Sequence, residues 1–295
     1  MIGLDSRTYR GNGTTQDGRM AATPGEPGVY RASPDLVTAV NTMLAVEQPL
    51  LVTGDAGTGK TMLAYSIQAE LEIGKIEVFP VRSDHQGRDL LYDFDNLQRF
   101  YDAQVGTPRA RDRRNYLTLG PLGRAICSEE PVVLLIDEID KAPRDFPNDL
   151  LNALDKMTLS IPEIGVEVHA RHRPIVVITS NRESQLPDPF LRRCVFHHIE
   201  FPNTEELKAI LHERLGDPGF GESLLSRIVS KLEALREIKG LQKMPATAEM
   251  LTWARAIRRL GTPEKDLDAP LDRLPHLGTL LKAREDFELV KRLAR

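Results

Sequence analysis

Short apolar runs, each closed by glycine or polar residues, alternate along the first two thirds of this chain with stretches of helical period. Leu50-Leu51-Val52, Ile76-Glu77-Val78-Phe79-Pro80, Val132-Val133-Leu134-Leu135-Ile136, Ile175-Val176-Val177-Ile178 and Phe196-His197-His198-Ile199-Glu200-Phe201 read as strands. The runs at 132–136 and 175–178 are apolar on both faces, which suits strands buried within a parallel sheet. Ahead of the first strand, Leu36, Val37, Val40, Met43 and Leu44 recur at helical spacing, with Ser33 as N-cap and Pro34 at the first helical position. Asn148 to Met157 reads as a helix with Leu150, Leu151, Leu154 and Met157 on one face. From about 159 to 170, alternation around Pro162 and Gly165 predicts a β-hairpin.

After Pro202-Asn203 the pattern becomes helical only. Thr204 is expected to cap a helix carrying Leu207, Ile210 and Leu211, and a second stripe runs from Leu224 to Leu235. A third helix holds Met250, Trp253 and Ile257, and a last one is expected from about Leu277 to Leu293. Residues 1–27 are rich in Gly, Thr, Pro and Arg without an apolar period, so a disordered arm is expected there. The division is therefore an arm (1–27), an α/β domain (28–203) and a helical domain (204–295). A long polar stretch, Arg82 to Gly120, lies within the α/β part. Its arginines, Arg109, Arg111, Arg113 and Arg114, are either a contact with a polymer or partner or a solvated loop balanced by Asp112.

The 295 residues suffice for one large or two modest cores, and 41% hydrophobic with 28% charged residues describes an ordinary soluble protein. The net charge of −4 gives no bulk electrostatic reason to expect nucleic-acid binding. Cys127 and Cys194 lack metal-ligand spacing and read as reduced thiols. No run approaches the roughly twenty apolar residues that span a bilayer, so a cytoplasmic location is expected.

The candidate chemistry sits where the strands end. Gly54-Asp55-Ala56-Gly57-Thr58-Gly59-Lys60-Thr61 follows the first strand and runs into Met62 of a helix. The spacing is that of a phosphate-cradling P-loop: glycines let backbone N–H groups approach the anion, and the helix aims its positive end there. Lys60 is expected on the β- and γ-phosphates of ATP or ADP and the Thr61 hydroxyl on Mg²⁺, whose shell Asp137 would complete. Glu138 is placed to polarise the attacking water, and Asn181, at the end of the next strand, to hold that water or the γ-phosphate. Arg192 or Arg193 either reaches a neighbouring subunit's γ-phosphate or makes a surface ion pair. His197 and His198 read as strand histidines.

With these residues together, the chain resembles an AAA+ ATPase, and most closely a MoxR-type member. Gly54 to Thr61 is similar to the Walker A motif, Val132 to Glu138 to Walker B, Asn181 to sensor 1, and Leu186 to Arg193 to the segment of the arginine finger. The resemblance implies a P-loop NTPase three-layer αβα domain with a five-stranded parallel sheet in order 5-1-4-3-2, followed by an all-helical lid domain. It also implies hydrolysis of ATP with Mg²⁺ in a ring, expected to be a hexamer, and Tyr30 with Val29 as a flank for the adenine. The hairpin resembles the family's pre-sensor-1 insertion, and Arg82–Gly120 stands at its helix-2 insert. The energy would remodel or activate a separate protein client, such as a von Willebrand factor A-domain protein. A nucleotide-dependent switch with little turnover and a nucleic-acid motor are the alternatives. The chain departs from the family at sensor 2: no arginine stands in Met244 to Glu249, and Lys243 is the candidate substitute.

Overall fold

The computed structural model describes residues 7–20, 30–181, 186–215 and 221–293. Parts of the expected arm (1–6 and 21–27) and Val29 lie outside the described residues. The chain divides into two compact units. One holds Tyr30–Gly54, Lys60–His198 and the described arm, and the other Asp55–Gly59 with the chain from Ile199 onward.

The first unit opens with α1 (Pro34–Val46), where Ser33 accepts the Leu36 N–H as N-cap. Then come β1 (Leu50–Gly54), α2 (Lys60–Glu70), β2 (Lys75–Pro80), α3 (Gly87–Leu91), β3 (Tyr92–Phe94), α4 (Asn96–Val105), β4 (Leu117–Leu119) and α5 (Pro121–Ile126). The unit continues with β5 (Val132–Asp137), α6 (Phe146–Lys156), β6 (Thr158–Ile161), β7 (Val166–His169), β8 (Ile175–Ser180), α7 (Asp188–Leu191) and β9 (Val195–Ile199). Five strands form one sheet in the order β2-β5-β8-β1-β9. Counting only this sheet's strands along the chain and reading from the β9 edge, the order is 5-1-4-3-2. The ladders β2·β5, β5·β8 and β1·β8 are parallel. Helices cover the sheet, and every residue of β1 and β8 is buried, which is why these strands are apolar without alternation. Leu51, Leu134, Ile136 and Ile178 join Phe146, Leu150 and Phe190 in the core.

The polar stretch holds the two helices α3 and α4 beside a short ribbon. Its only regular pairing is the ribbon β3·β4, whose three-residue strands are too short to show a period. Around α4 the polar side turns inward: Asp102, 5% exposed, accepts bonds from Tyr116 (2.7 Å) and Gln98 (3.1 Å). Leu97, Phe100, Tyr101 and Val105 are 85, 64, 61 and 60% exposed, so the apolar stripe faces outward. The hairpin β6·β7 forms as expected, and its turn residue Glu163 accepts from Tyr92 Oη and, through its carbonyl, from Arg113.

The arm is the main correction. Residues 7–20 are not disordered but packed on α1 and α2. Glu70, fully buried, accepts the backbone N–H groups of Arg10, Gly11 and Gly13 at 2.7–3.0 Å. Tyr9 is also fully buried, its hydroxyl 2.9 Å from Ser66 Oγ, and Asn41 bonds both its N–H and its carbonyl. Gly11 has φ +68°, and a Cβ there would sit 2.5 Å from Val37 Cγ2. The segment is held by one aromatic ring and by polar bonds from Glu70, Asn41 and Gln16, so no hydrophobic period announces it.

In the second unit, α8 (Thr204–Leu215), α9 (Glu222–Arg236), α10 (Thr247–Arg259) and α11 (Arg284–Leu293) pack around Trp253, Leu232, Leu211 and Ile257. Asn203, not Thr204, caps α8: its Oδ1 accepts the N–H groups of Glu205 and Glu206. The last helix begins at Arg284 rather than Leu277, which lies in a separate 3₁₀ turn.

Candidate functional site

The parallel register brings three strand ends to one edge of the sheet. Thr53 pairs with Ser180, and Ile136 with Ile178, so Asp137 lies beside Thr179, and Asn181 ends the strand adjoining the P-loop. This C-terminal edge is where open α/β sheets bind ligands.

At the end of β1 the chain turns sharply, with Gly54, Gly57 and Gly59 at φ of 144°, 79° and 92°. Side chains are strained in that region and glycine is not. The Thr58 hydroxyl donates to the Asp55 carbonyl at 2.9 Å, closing the loop on itself. Asp55, Ala56 and Gly57 are exposed, while Thr58 and Lys60 are buried. Lys60 opens α2 and donates from Nζ to the Gly54 carbonyl at 2.8 Å, so the ammonium lies across the loop it belongs to. Thr61 and then Met62 follow in the same helical turn, which carries no acidic residue to weaken the helix's positive end.

Thr61 Oγ1 donates to Asp137 Oδ1 at 2.9 Å, and the same carboxylate oxygen accepts from Thr179 Oγ1 at 2.7 Å. Thr179 is fully buried, and its hydroxyl oxygen in turn accepts the Glu138 N–H at 2.8 Å. One hydroxyl thus fixes the Asp137 carboxylate and the Glu138 backbone together. Glu138 has φ +59° and ψ +53°, a left-handed conformation that costs a non-glycine residue about 1–2 kcal/mol. Its carboxylate pairs with Lys141 and lies 3.4 Å from Asn181 Nδ2. The bond to Glu138 holds the Lys141 ammonium above the usual lysine range. Asn181 is anchored by its own N–H, which donates to Asp140 Oδ1 at 2.9 Å.

Thr61 Oγ1 and Asp137 Oδ1 are hard oxygen donors side by side, the donor type that Mg²⁺ takes when substrate phosphates and water supply the rest of its shell. No larger cluster of His, Cys, Asp or Glu ligands occurs among the described residues.

The structure brings some of the expected residues together and separates others. Lys60, Thr61, Asp137, Glu138 and Asn181 are brought together at the sheet edge. The two arginines separate in role. Arg193 Nε binds Asp155 at 2.7 Å and its NH1 the Pro189 carbonyl, so it ties α7 to α6. The Arg192 side chain is exposed and makes no hydrogen bond or ion pair among the described residues; its backbone N–H closes α7 on the Asp188 carbonyl. Tyr30 is buried. Lys243 is fixed through its backbone N–H to buried Asp286. In the arginine stretch, Arg114 pairs with Asp112, Arg109 lies over Tyr116 and bonds the Asn115 carbonyl, and Arg113 holds the hairpin turn.

Sequence reasoning missed Thr179, Asp140 and Lys141. Thr179 is two residues before Asn181 in an apolar strand, and only the strand register reveals what its hydroxyl touches.

Residues 49–194 match the family model of the AAA domain, dynein-related subfamily. CD-NTase-associated protein 6 of Escherichia coli (strain MS 115-1) is 24% identical over 203 residues, which cover 66% of this chain and 62% of that protein. Among solved structures, the FIGL-1 AAA domain in complex with ADP aligns at 18% identity with a TM-score of 0.40, covering 84% of this chain and 72% of that one. No helix among the described residues is long and apolar enough to cross a membrane. The P-loop, the acidic strand end and the sheet that joins them, within a segment matched by that model, make residues 49–194 an AAA+ nucleotide-binding domain.

Proposed function

We propose that this chain is a Mg²⁺-dependent ATPase of the MoxR type that works as a ring on a separate protein client. The observation that carries the hydrolytic reading is the bonded set Thr61–Asp137–Thr179–Glu138, with Asn181 within 3.4 Å of the Glu138 carboxylate. In this reading Lys60 and the P-loop N–H groups bind the β- and γ-phosphates, and Thr61 and Asp137 hold the magnesium ion, which neutralises phosphate charge when bound. Glu138 takes the proton of the attacking water, and the Asn181 amide orients that water. Lys141 must release Glu138 before its carboxylate can act as a base. That pairing is also the observation that favours the alternative, a nucleotide-dependent switch with slow turnover.

Arg192, rather than Arg193, is the residue assigned to a neighbour's γ-phosphate, because Arg193 already holds Asp155. The outward stripe of α4 supports a protein client: Leu97, Phe100, Tyr101 and Val105 follow the i, i+3, i+4, i+8 spacing of a helix that docks by one face. Three of the four clustered arginines have structural bonds, which counts against a nucleic-acid motor.

Complementation tests the assignment. Glu138→Gln and Arg192→Ala proteins should each release phosphate from ATP about 100-fold more slowly than wild type. Mixed, they should regain measurable turnover, since some sites then combine an intact Glu138 with a neighbour's intact Arg192. A mixture as inactive as its parts would remove the shared site, and an Arg192→Ala protein with full turnover would remove Arg192 from it.

A further inference from the structure

The P-loop carries an acidic residue, Asp55, immediately after its first glycine. A carboxylate beside backbone N–H groups that are to receive a polyphosphate opposes that binding by like-charge repulsion. Asp55 is met by Arg236, the last residue of α9, whose NH2 lies 3.1 Å from Asp55 Oδ2. The two are 181 positions apart in the chain, yet both belong to the second compact unit.

Arg236 is not a solvated surface arm. Its side chain is only 17% exposed. Its guanidinium carbon lies 3.5 Å from the centre of the Phe201 ring, and its NH1 donates to the Pro245 carbonyl at 2.7 Å. A ring face, a carbonyl and a carboxylate thus hold it from three directions, so the cation is fixed before any ligand arrives. The same neighbourhood closes on the loop itself: a Cβ built on Gly57 would come within 2.9 Å of the Ala246 Cβ.

We infer that Arg236 is a positioning residue for nucleotide binding: it neutralises and orients Asp55, so that the P-loop accepts a polyphosphate despite its own carboxylate. The inference rests on the proposed nucleotide site and adds a residue that the motif does not contain. It differs from a direct phosphate contact by Arg236, because its effect runs through Asp55 and disappears when Asp55 loses its charge.

The test is a titration of fluorescent ADP with Mg²⁺ into four proteins: wild type, Arg236→Gln, Asp55→Asn and the double variant, each with a thermal melt. Arg236→Gln should weaken binding about tenfold, as an uncompensated charge a few ångströms from the phosphates would. Asp55→Asn should tighten it, and the double variant should return to within about threefold of wild type. Binding unaffected by Arg236→Gln would overturn the inference. A double variant as weak as Arg236→Gln would also overturn it, and would indicate that the arginine meets the phosphate itself. Arg236→Lys guards against a folding defect: it keeps the charge, and should bind more tightly than the Gln variant at equal folded fraction. Equal weakness of the two would assign the effect to packing on Phe201 and reject the charge role. A wild-type protein that bound no ADP would instead reject the proposed site, before any variant is compared.

Discussion

Thr179 offers a sharp test of how the acidic strand end is held. In Thr179→Val the shape of the side chain is kept and the hydroxyl is lost, at a position with no solvent to replace it. Two bonds go. The 2.7 Å bond to Asp137 Oδ1 is made to a charged acceptor, a class worth about 1.5–3 kcal/mol, although Asp137 keeps its bond from Thr61. The Glu138 N–H, 2.8 Å from the hydroxyl, loses its acceptor, at about 1–3 kcal/mol for an orphaned donor. The left-handed conformation of Glu138 persists because its surroundings fix it, and this bond is one of those constraints. Without it the residue relaxes and its carboxylate moves. The expected loss of stability is about 2–3 kcal/mol, read as a fall of roughly 5 °C in Tm. Turnover should fall about 100-fold, as a misplacement near 1 Å does, with ADP affinity changed much less because Lys60 and the loop are untouched. Thr179→Ser, which keeps the hydroxyl, should retain most of the turnover. Steady-state phosphate release, ADP titration and a melt read all three quantities. A Val variant with turnover within about twofold of wild type would refute the claim that this hydroxyl positions Glu138.

Two further outcomes follow from the buried carboxylates. Glu70→Gln puts an amide NH₂ where one of the oxygens meets backbone N–H donors, so the arm should loosen by about 2–3 kcal/mol. Trypsin should then cut at Arg10 or Arg19 faster than in wild type, and unchanged cleavage would contradict the account of the arm. At Glu77, burial alone would raise the carboxyl, but bonds from Arg124 and then Lys75 outweigh it and hold it below the usual range. A lowered folded-state pKa means stabilisation that is present at neutral pH and lost as pH falls through that lowered value. Glu77→Gln should therefore cost about 1 kcal/mol at pH 7, and the gap from wild type should close as acid titrates the carboxylate, below its ordinary value of about 4.3. A gap that stayed constant with pH would show that the charge is not the source.

What could be read from the chain depended on whether the signal was local. Gly54 to Thr61 states its chemistry in one stretch, because phosphate binding needs those glycines, that lysine and that hydroxyl in sequence. The strand runs at 132–136 and 175–178 were legible because burial on both faces makes them uniformly apolar. Asp137 and Glu138 could be found from their place after such a strand. Thr179 could not, since its partner lies 42 positions away and only pairing sets them side by side. Arg236 was hidden for the same reason, and at the end of α9 it looks like an ordinary cation on a helix dipole. The arm failed for another reason: it is held by backbone bonds to Glu70, and backbone bonds leave no pattern in side chains. Around α4 the period was present but its direction was not, for an apolar stripe reads as buried and here faces outward.

We propose that Glu138 is the base of a hydrolytic site whose nucleotide-binding part stands without it. The measurement is phosphate release and nucleotide affinity side by side in wild type and Glu138→Gln, in Mg²⁺ and in excess chelator. In Glu138→Gln, ADP affinity should stay within a few-fold of wild type and turnover should fall by two orders of magnitude or more. Wild-type turnover should cease once Mg²⁺ is withdrawn. A Glu138→Gln protein that hydrolyses ATP at the wild-type rate would contradict this proposal.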